Sequence, residues 1–315
     1  MKLQTQILLK PEKPQIDYNS KVLLLGSCFS ENIGTKFDYF KFQNIQNPFG
    51  VIFNPVSIEK LVVRAIDNLS FSDKDVFQHN GIWKCFEAHS ELSFLKKDEF
   101  LENLNFALQD LREALFSATH IIFTYGTAWV YRDIEADIIV ANCHKLPQKQ
   151  FSKELLSISE VFTSLKITSA AIQKVNTEVT VIHTVSPVRH LKDGFVENSQ
   201  SKAHLLTAVH KVVTSESKQR YFPAYEIMID ELRDYRFYTE DMLHPNKIAI
   251  EIIWEKFSKV WVSSKTISIQ KEIESIQSSL LHKPFNPSSK EHQQFLNKLQ
   301  IKIKSLQKKL PQISF

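Results

Sequence analysis

The sequence is poor in the residues that disulfide scaffolds and membrane spans need. Its three cysteines, Cys28, Cys85 and Cys143, are odd in number and widely spaced, which argues against a disulfide framework and for reduced thiols. Only six glycines occur, so each is expected to mark a backbone constraint. The first apolar run is broken by Lys10 and Pro11, which predicts neither a secretory signal nor a membrane span. A cytoplasmic protein with no membrane partner is therefore expected.

Nucleic-acid and metal-binding patterns are also lacking. The formal charge of +4 comes largely from a lysine-rich C-terminus, and no arginine-rich stripe occurs, so no nucleic-acid partner is predicted. Neither a C-x-x-C nor an H-x-x-x-H pair is present, and we predict no metal and no other cofactor. The chain is 43% hydrophobic and 23% charged, which is the balance of a globular protein with a substantial core.

Three apolar runs, 22–26, 121–125 and 177–184, are typical of strands that are buried on both faces. The first two end at Gly26 and Gly126. Apolar residues at helical spacing predict helices between and after these runs, over 56–69, 97–115, 157–175, 198–214 and 246–261. Alternation of apolar and polar residues predicts a strand pair within 77–94. Strands that alternate with helices predict an α/β fold with a parallel sheet, whose carboxyl ends share one edge.

The C-terminal segment differs in composition. From Thr266 onward glycine is absent, and apolar residues at helical spacing predict two helices, 268–281 and 288–310. We expect an antiparallel helical hairpin that docks on the core or on a second copy of the chain, giving a homo-oligomer. The predicted division is an α/β domain over 1–264 and the hairpin over 265–315.

The turn after the first buried strand carries two nucleophile-type side chains, Ser27 and Cys28. Ser30 is a candidate helix cap and Glu31 would lie in the first helical turn. A strand that ends in a tight turn and leads into a helix presents backbone N–H groups at the ligand-binding edge of an α/β sheet. Ser27 and Cys28 could therefore attack a substrate or simply cap and pack, and the residues alone leave both interpretations open.

The second informative stretch is Asp241-Met242-Leu243-His244-Pro245. A D-x-x-H unit on a short turn lets the carboxylate hold the imidazole in one tautomer and leaves the other nitrogen as a base. A nucleophile near the start of the α/β part and a histidine–aspartate pair near its end can meet at one sheet edge. Acyl transfer requires this combination.

Further polar groups lie at turns or amid apolar residues, where a purely structural role is at least as common as a functional one. Gly50, in a rigid loop between two Asn-Pro steps, would offer its N–H to a substrate oxyanion. The remaining candidates are His89 and Ser90 in a polar pair, Asn142 and His144 at the end of an apolar stretch, Gly126 after the second strand, and Arg189 after the third.

Seven motifs in order resemble the GSCFA-domain family. They are GSCFS, NPFG with a following NP, the HS pair, TYGTAWVY, VANCHK, SPVRH with DG, and YFPAYEIMIDELRDYRFYTEDMLHP. The resemblance extends over residues 7–262 and part of the hairpin. It implies a distant relation to the SGNH, or GDSL-type, hydrolases and hence a three-layer α/β/α sandwich with a parallel, flavodoxin-like sheet.

The resemblance also assigns roles. The G-D-S motif of the hydrolases falls on Gly26-Ser27-Cys28, which puts Cys28 at the nucleophile position. Gly50 resembles the oxyanion glycine, and Asp241 and His244 match the D-x-x-H motif. The third motif departs, because Ala128 stands where the oxyanion asparagine belongs. Asn142 is the predicted substitute.

The implied activity is that of an esterase, a thioester hydrolase or an acyltransferase acting on a small-molecule or glycan acyl substrate. Beside His244 and at a helix N-terminus, the Cys28 thiol is expected to have a lowered pKa and to form a thiolate–imidazolium pair. Two other interpretations stay open. One is a metal site built from Cys28, Cys143, His144 and His244; the other is a non-catalytic protein that binds a glycan or partner in the same cleft.

Overall fold

The computed structural model describes residues 4–315. In chain order its elements are β1 (Lys21–Gly26), α1 (Cys28–Tyr39), β2 (Gln43–Gln46), α2 (Pro55–Ile66), β3 (Phe77–His79), β4 (Ile82–Lys84), α3 (Lys97–Ser117), β5 (His120–Tyr125), β6 (Trp129–Asp133), β7 (Ile138–Val140), β8 (Phe151–Leu155), α4 (Ile158–Val175), β9 (Thr180–Val185), α5 (Phe195–Ser215), β10 (Gln219–Tyr221), α6 (Ala224–Glu226), α7 (Lys247–Trp261), α8 (Ile267–Leu280) and α9 (Lys290–Lys309).

A parallel sheet forms the centre of the molecule, with the strand order β10-β9-β5-β1-β2 among the described residues. Numbered within the sheet, this is the flavodoxin-like order, which places a ligand crevice where the strand order reverses at β1. The register pairs Gly26 with Thr124 and Tyr125 with Val185, so the carboxyl ends of β1, β5 and β9 lie side by side. The predicted parallel α/β sheet is confirmed.

Helices cover both faces of this sheet. Leu23, Ile121 and Val181 point into a core shared with α2, α3, α4 and α5. The alternate residues Leu24 and Ile122 point into a second core shared with α1 and α7. The structure is thus the predicted α/β/α sandwich, and its strands lack apolar–polar alternation because neither face meets water.

The C-terminal helices α8 and α9 pack on the α1–α7 side of the sandwich. Ile276 and Leu306 are fully buried in that core. Lys309 at the end of α9 lies 3.1 Å from Glu272 near the start of α8, which shows that the two helices are antiparallel. Since this apolar stripe contacts the chain's own core, association with a second copy stays a prediction.

Several local features differ from the predictions. Helix α1 begins at Cys28 with Ser27 as its N-cap, so the prediction of a Ser30 cap is wrong. The strands β6, β7 and β8 form a small antiparallel sheet that was not predicted. Within 77–94 the predicted strand pair forms as the hairpin of β3 and β4, but it is shorter than the predicted range. Residues 85–96 follow as a loop, which a single antiparallel bridge between Phe94 and Trp83 fastens to β4. Within residues 4–315, no helix is both long and apolar enough to cross a membrane.

Candidate active site at the carboxyl edge of the sheet

The turn at Gly26 brings the strand and the following helix unusually close to β5. Gly26 has a φ of +140°, and a Cβ at this position would lie 2.1 Å from the carbonyl oxygen of Thr124. Ser27 N–H donates to that same carbonyl oxygen at 3.0 Å. Only glycine tolerates this approach, and as a result α1 begins directly at the sheet edge.

Ser27 and Cys28 have different environments. Ser27 is fully buried, and its Oγ accepts a hydrogen bond from Phe29 N–H at 3.4 Å as the cap of α1. Cys28 is the first residue of α1 and is partly exposed. The first N–H groups of a helix have no partner within the helix, and the described backbone offers no acceptor to Cys28 N–H. Of the two candidate nucleophiles, Cys28 is therefore the accessible one.

The pKa of the Cys28 thiol is raised, chiefly because burial disfavours the thiolate and also because Glu31 lies nearby. The Lys202 ammonium and the N–H groups of Cys28 and Phe29 lower that pKa without reversing the effect. The prediction of a lowered pKa and a preformed thiolate–imidazolium pair is thus wrong. Cys28 rests as a thiol that must lose its proton before it can attack.

Asp241 and His244 form the hydrogen bond that the D-x-x-H spacing predicts. Asp241 Oδ2 lies 2.6 Å from His244 Nδ1. Asp241 Oδ1 accepts from the hydroxyl of Thr239 and from the backbone N–H groups of Leu243 and His244. Led by the Thr239 hydroxyl, these donors lower the pKa of Asp241. His244 Nε2 has no hydrogen-bond partner among residues 4–315 and stays available for proton transfer.

The loop after β9 holds this turn at the sheet edge. Arg189 N–H donates to the carbonyl of Leu243 at 3.2 Å. The Arg189 guanidinium lies 4.2 Å from the ring centre of Tyr238, just before the turn. Arg189 therefore supports the position of His244, and the sequence-based expectation that it contacts substrate stays a prediction.

Lys202 and His190 converge on Gly126, and neither was among the predicted site residues. Lys202 Nζ donates to the carbonyl oxygens of Gly126 and Ser186, both at 2.7 Å. His190 Nε2 is buried without a hydrogen-bond partner in the described chain, and a Cβ on Gly126 would lie 3.0 Å from it. Burial lowers the pKa of His190 to about 3, helped by the charges of Lys202 and His244.

A signal for Lys202 exists in the sequence. Lys202 lies on the same stripe of α5 as Leu205, Val209 and Val212, all of which are buried. A lysine at helical spacing with core residues is unusual, because charged side chains are almost never fully buried unless they are paired. The stripe therefore distinguishes Lys202 from the solvated lysines of the chain.

Two predicted oxyanion donors are engaged elsewhere. Gly50 N–H donates to the carbonyl of Asn47 at 2.8 Å, and Gly126 N–H donates to the carbonyl of Phe53 at 2.7 Å. The prediction that Gly50 offers an unused N–H is wrong. Its φ of +73° and the 2.5 Å that would separate a Cβ from His89 Cβ show why glycine is required there.

The predicted residues Asn142 and His144 belong to a different set of contacts. Asn142 Oδ1 accepts from His144 N–H at 2.7 Å, and His144 Nε2 lies 2.6 Å from the carbonyl oxygen of Cys85. Burial lowers the pKa of His144 to about 4. No hydrogen bond in the described chain joins Asn142 to Cys28, and a role of Asn142 as an oxyanion donor stays a prediction.

The pair His89-Ser90 lies in the loop after β4. His89 N–H donates to the carbonyl of Phe49 at 2.8 Å, and His89 Nδ1 lies 3.5 Å from the carboxylate of Glu91. Ser90 is partly exposed in the same loop. The His89 N–H fastens this loop to the 47–54 loop, and substrate binding by His89 or Ser90 stays a prediction. No group of three or more histidine, cysteine or acidic residues within 4–315 is arranged to hold a metal ion.

Sequence comparison gives the chain its family. The GSCFA family profile matches residues 21–257. The chain belongs to the GSCFA family. A second profile, described as the C-terminal domain of GSCFA domain proteins, matches residues 273–315, which include α9 and most of α8. No curated protein matches the GSCFA chain significantly.

The solved structures that are similar to this GSCFA protein include three with a TM-score of 0.36 each. A carbohydrate esterase family 3 protein from Talaromyces cellulolyticus is 10% identical and covers 80% of this chain and 99% of its own. A family 3 carbohydrate esterase from Clostridium thermocellum is 11% identical, with coverages of 80% and 97%. A serine-to-alanine mutant of an acetyl esterase with an acetate ion is 11% identical, with coverages of 81% and 99%. These similarities carry no conclusion about activity.

The sheet edge of the GSCFA chain thus combines three kinds of group. An accessible thiol lies at a helix N-terminus, a histidine is held through one nitrogen by a carboxylate, and a buried lysine contacts the Gly126 carbonyl directly after β5. No hydrogen bond joins His244 to Cys28 within residues 4–315. Catalytic hydrogen bonds commonly tighten only when substrate binds, so this separation is compatible with proton transfer in a substrate complex.

Proposed function

We propose that the protein is an acyl-transferring enzyme that cleaves an ester or thioester through a thioacyl-enzyme on Cys28. The observation that carries this proposal is the common sheet edge of Cys28, at the first residue of α1, and His244, whose Nδ1 is held 2.6 Å from Asp241. The proposed substrates are acyl esters of small molecules or glycans. Three unpaired cysteines are compatible with a reducing, cytoplasmic location.

The first half-reaction forms the thioester. Cys28 loses its thiol proton to His244 Nε2, and its sulfur attacks the acyl carbon while the carbonyl electron pair moves to oxygen. Collapse of this intermediate breaks the bond to the leaving group, which takes the proton back from His244. Asp241 stabilises the imidazolium that exists between the two proton transfers.

The oxyanion of the intermediate needs hydrogen-bond donors that the protein does not use elsewhere. Cys28 N–H is one, because it is the first N–H of α1. His190 Nε2 is the other candidate, since it is buried, unpartnered and beside Gly126. Its low pKa keeps the ring neutral, and the tautomer with hydrogen on Nε2 would donate to the oxyanion.

The second half-reaction releases the acyl group. Water, or the hydroxyl of an acceptor, attacks the thioester carbon while His244 Nε2 removes its proton. The Cys28–carbon bond then breaks and the sulfur recovers a proton from His244. Hydrolysis and transfer therefore share one intermediate and differ only in the acceptor.

The test is to trap that intermediate. We expect incubation with p-nitrophenyl acetate or an acetyl thioester to add one acetyl group to Cys28, detected by peptide mass spectrometry after acid quench. Cys28→Ala should lose both the adduct and at least about 10²-fold of the turnover. His244→Ala should lower the rate of both half-reactions.

The matched control is Cys143→Ala, since Cys143 is also partly exposed and lies three residues after β7. Equal acetylation of Cys143 and Cys28, or full turnover in Cys28→Ala, would contradict the proposal. Absence of any adduct over a range of esters and thioesters would favour a binding protein on the same fold.

A further inference from the structure

Lys202 is a buried cation without an acidic partner. Its exposed fraction is 1%, and within residues 4–315 its ammonium contacts two carbonyl oxygens and forms no salt bridge with Asp or Glu. The two carbonyl oxygens that it contacts satisfy hydrogen bonds but carry no net charge. Because a buried charge is costly unless it is compensated, an anion that forms beside Lys202 would stabilise its ammonium.

The surroundings of Lys202 indicate where that anion forms. Its two acceptors, Gly126 and Ser186, directly follow β5 and β9 at the carboxyl edge. The strand beside β5 is β1, whose last residue Gly26 pairs with Thr124, so Cys28 and Gly126 each follow that pair by two residues at the same edge of the sheet. Lys202 and Cys28 are close enough for the Lys202 charge to act on the thiol.

We propose that Lys202 is the buried counter-ion of the Cys28 thiolate. Its ammonium stabilises the negative sulfur that forms when the Cys28 S–H bond breaks and the proton moves to His244 Nε2. Lys202 acts through Cys28 and is a positioning residue; it forms no bond to the substrate. The inference rests on the proposed function in taking Cys28 as the nucleophile.

The charges around the pair define its pH behaviour. Burial lowers the pKa of Lys202 to about 7, and the charge of a Cys28 thiolate acts in the opposite direction. Glu31 on α1 disfavours the thiolate, whereas the Lys202 ammonium favours it. Lys202 and a protonated His244 both act on His190. A Cys28 thiolate therefore favours the protonated form of Lys202, and protonated Lys202 favours the thiolate.

The experiment measures the rate of alkylation of Cys28 by iodoacetamide from pH 6 to pH 10, read by peptide mass spectrometry. Replacement Lys202→Met removes the charge but keeps the length of the side chain. We expect the apparent pKa of Cys28 to rise by about one unit, which slows alkylation about tenfold at pH values below that pKa. Lys202→Arg keeps a positive charge and should restore most of the rate.

Two controls separate this effect from general perturbation. Lys60 is also half-buried and donates to a backbone carbonyl, that of Ile139, at 2.7 Å. Lys60→Met should leave the Cys28 profile unchanged. Cys143, whose pKa burial raises to about 11, should react equally slowly in every variant.

A second measurement covers the case in which Lys202→Met does not fold. Coupling between two charges is reciprocal, so ionisation of Cys28 should raise the pKa of Lys202. The variant Cys28→Ala has no thiol and should therefore lack this upward shift. Lysine side-chain NMR of the two proteins gives this titration directly. An identical Lys202 titration in both, or an unchanged alkylation profile in folded Lys202→Met, overturns the proposal.

Alkylation needs no acyl substrate, and this separates the two proposals. A Lys202-dependent profile without any acyl adduct would uphold the counter-ion and reject acyl transfer. An acyl adduct with a Lys202-independent profile would do the reverse.

Discussion

Gly26 determines how closely the helix that carries Cys28 approaches the sheet. Its Cα faces the carbonyl of Thr124, and Ser27 N–H is bonded to that carbonyl. Any side chain at this position would separate β1 from β5 at the edge where Cys28 begins α1. The role of the residue is therefore steric, and it affects both stability and the site.

We expect Gly26→Ala to destabilise the protein by about 2–5 kcal/mol, since it combines an unfavourable φ with a 2.1 Å clash. Gly81→Ala is the matched control, because Gly81 has a φ of +75° but nothing within 4 Å of the added Cβ. Its cost should be about 1 kcal/mol. Urea unfolding of both variants measures the difference, and equal losses would show that the contact with Thr124 is unimportant.

At the scale of elements, the 239–244 turn is a unit whose side-chain hydrogen bonds centre on Asp241. Thr239 and the backbone of Leu243 and His244 bind one carboxylate oxygen and leave the second to His244 Nδ1. The left-handed backbone of Met242, with a φ of 59°, closes the turn. This local network fixes the tautomer in which Nε2 is the base.

We expect Asp241→Asn to reduce kcat/KM for ester cleavage by about 10²–10⁴-fold, because the amide can present N–H to Nδ1 and select the wrong tautomer. The nitrogen chemical shifts of His244 report that tautomer independently of activity. Thr239→Val removes the 2.6 Å hydrogen bond to Oδ1 and the longer contact of the hydroxyl with the His244 carbonyl, and it should cost much less because Asp241 keeps its bond to Nδ1. A normal rate in Asp241→Asn would exclude the orienting role.

Features that depend on neighbouring residues were predictable. The buried strands follow from continuous apolar runs, and the Asp241–His244 pair follows from its D-x-x-H spacing of three residues. Features that depend on distant contacts were not. Lys202 contacts Gly126 although 76 positions separate the two residues in the sequence. The hydrogen bond from Gly50 N–H to the Asn47 carbonyl depends on which turn the loop forms. The strands β6, β7 and β8 are three to five residues long, too short for a clear periodicity.

At the scale of the whole molecule, the sandwich buries polar groups inside it as well as at its edge. His183 on β9 is fully buried, with Nδ1 3.0 Å from the hydroxyl of Tyr125 and Nε2 2.6 Å from Oε1 of Gln219. Gln219 in turn donates to Ser169 at 2.9 Å. This neutral network lies between the sheet and α4, where a charged imidazole would have no compensating anion in contact.

Acid should therefore destabilise the protein through its buried histidines. Burial lowers the pKa of His183 and His144 to about 4 and that of His190 to about 3. In the unfolded chain a histidine has a pKa of about 6.5, so the unfolded state binds more protons as the pH falls from about 6.5 to about 4. The free energy of unfolding must decrease over this window, on the order of 2–3 kcal/mol for His183 alone. Carboxylates whose pKa values are lowered in the folded state decrease the free energy of unfolding at pH values below this window.

Urea unfolding at intervals from pH 4.5 to pH 7.5 tests this expectation. His183→Gln should lower stability at pH 7.5, because the Tyr125 and Gln219 contacts change, but should reduce the slope of stability against pH by about one proton. His282→Gln, at an exposed residue after α8, should leave the slope unchanged. A wild-type slope near zero across the window would mean that the sandwich admits a charged His183, and that its hydrogen bonds to Tyr125 and Gln219 rearrange on protonation.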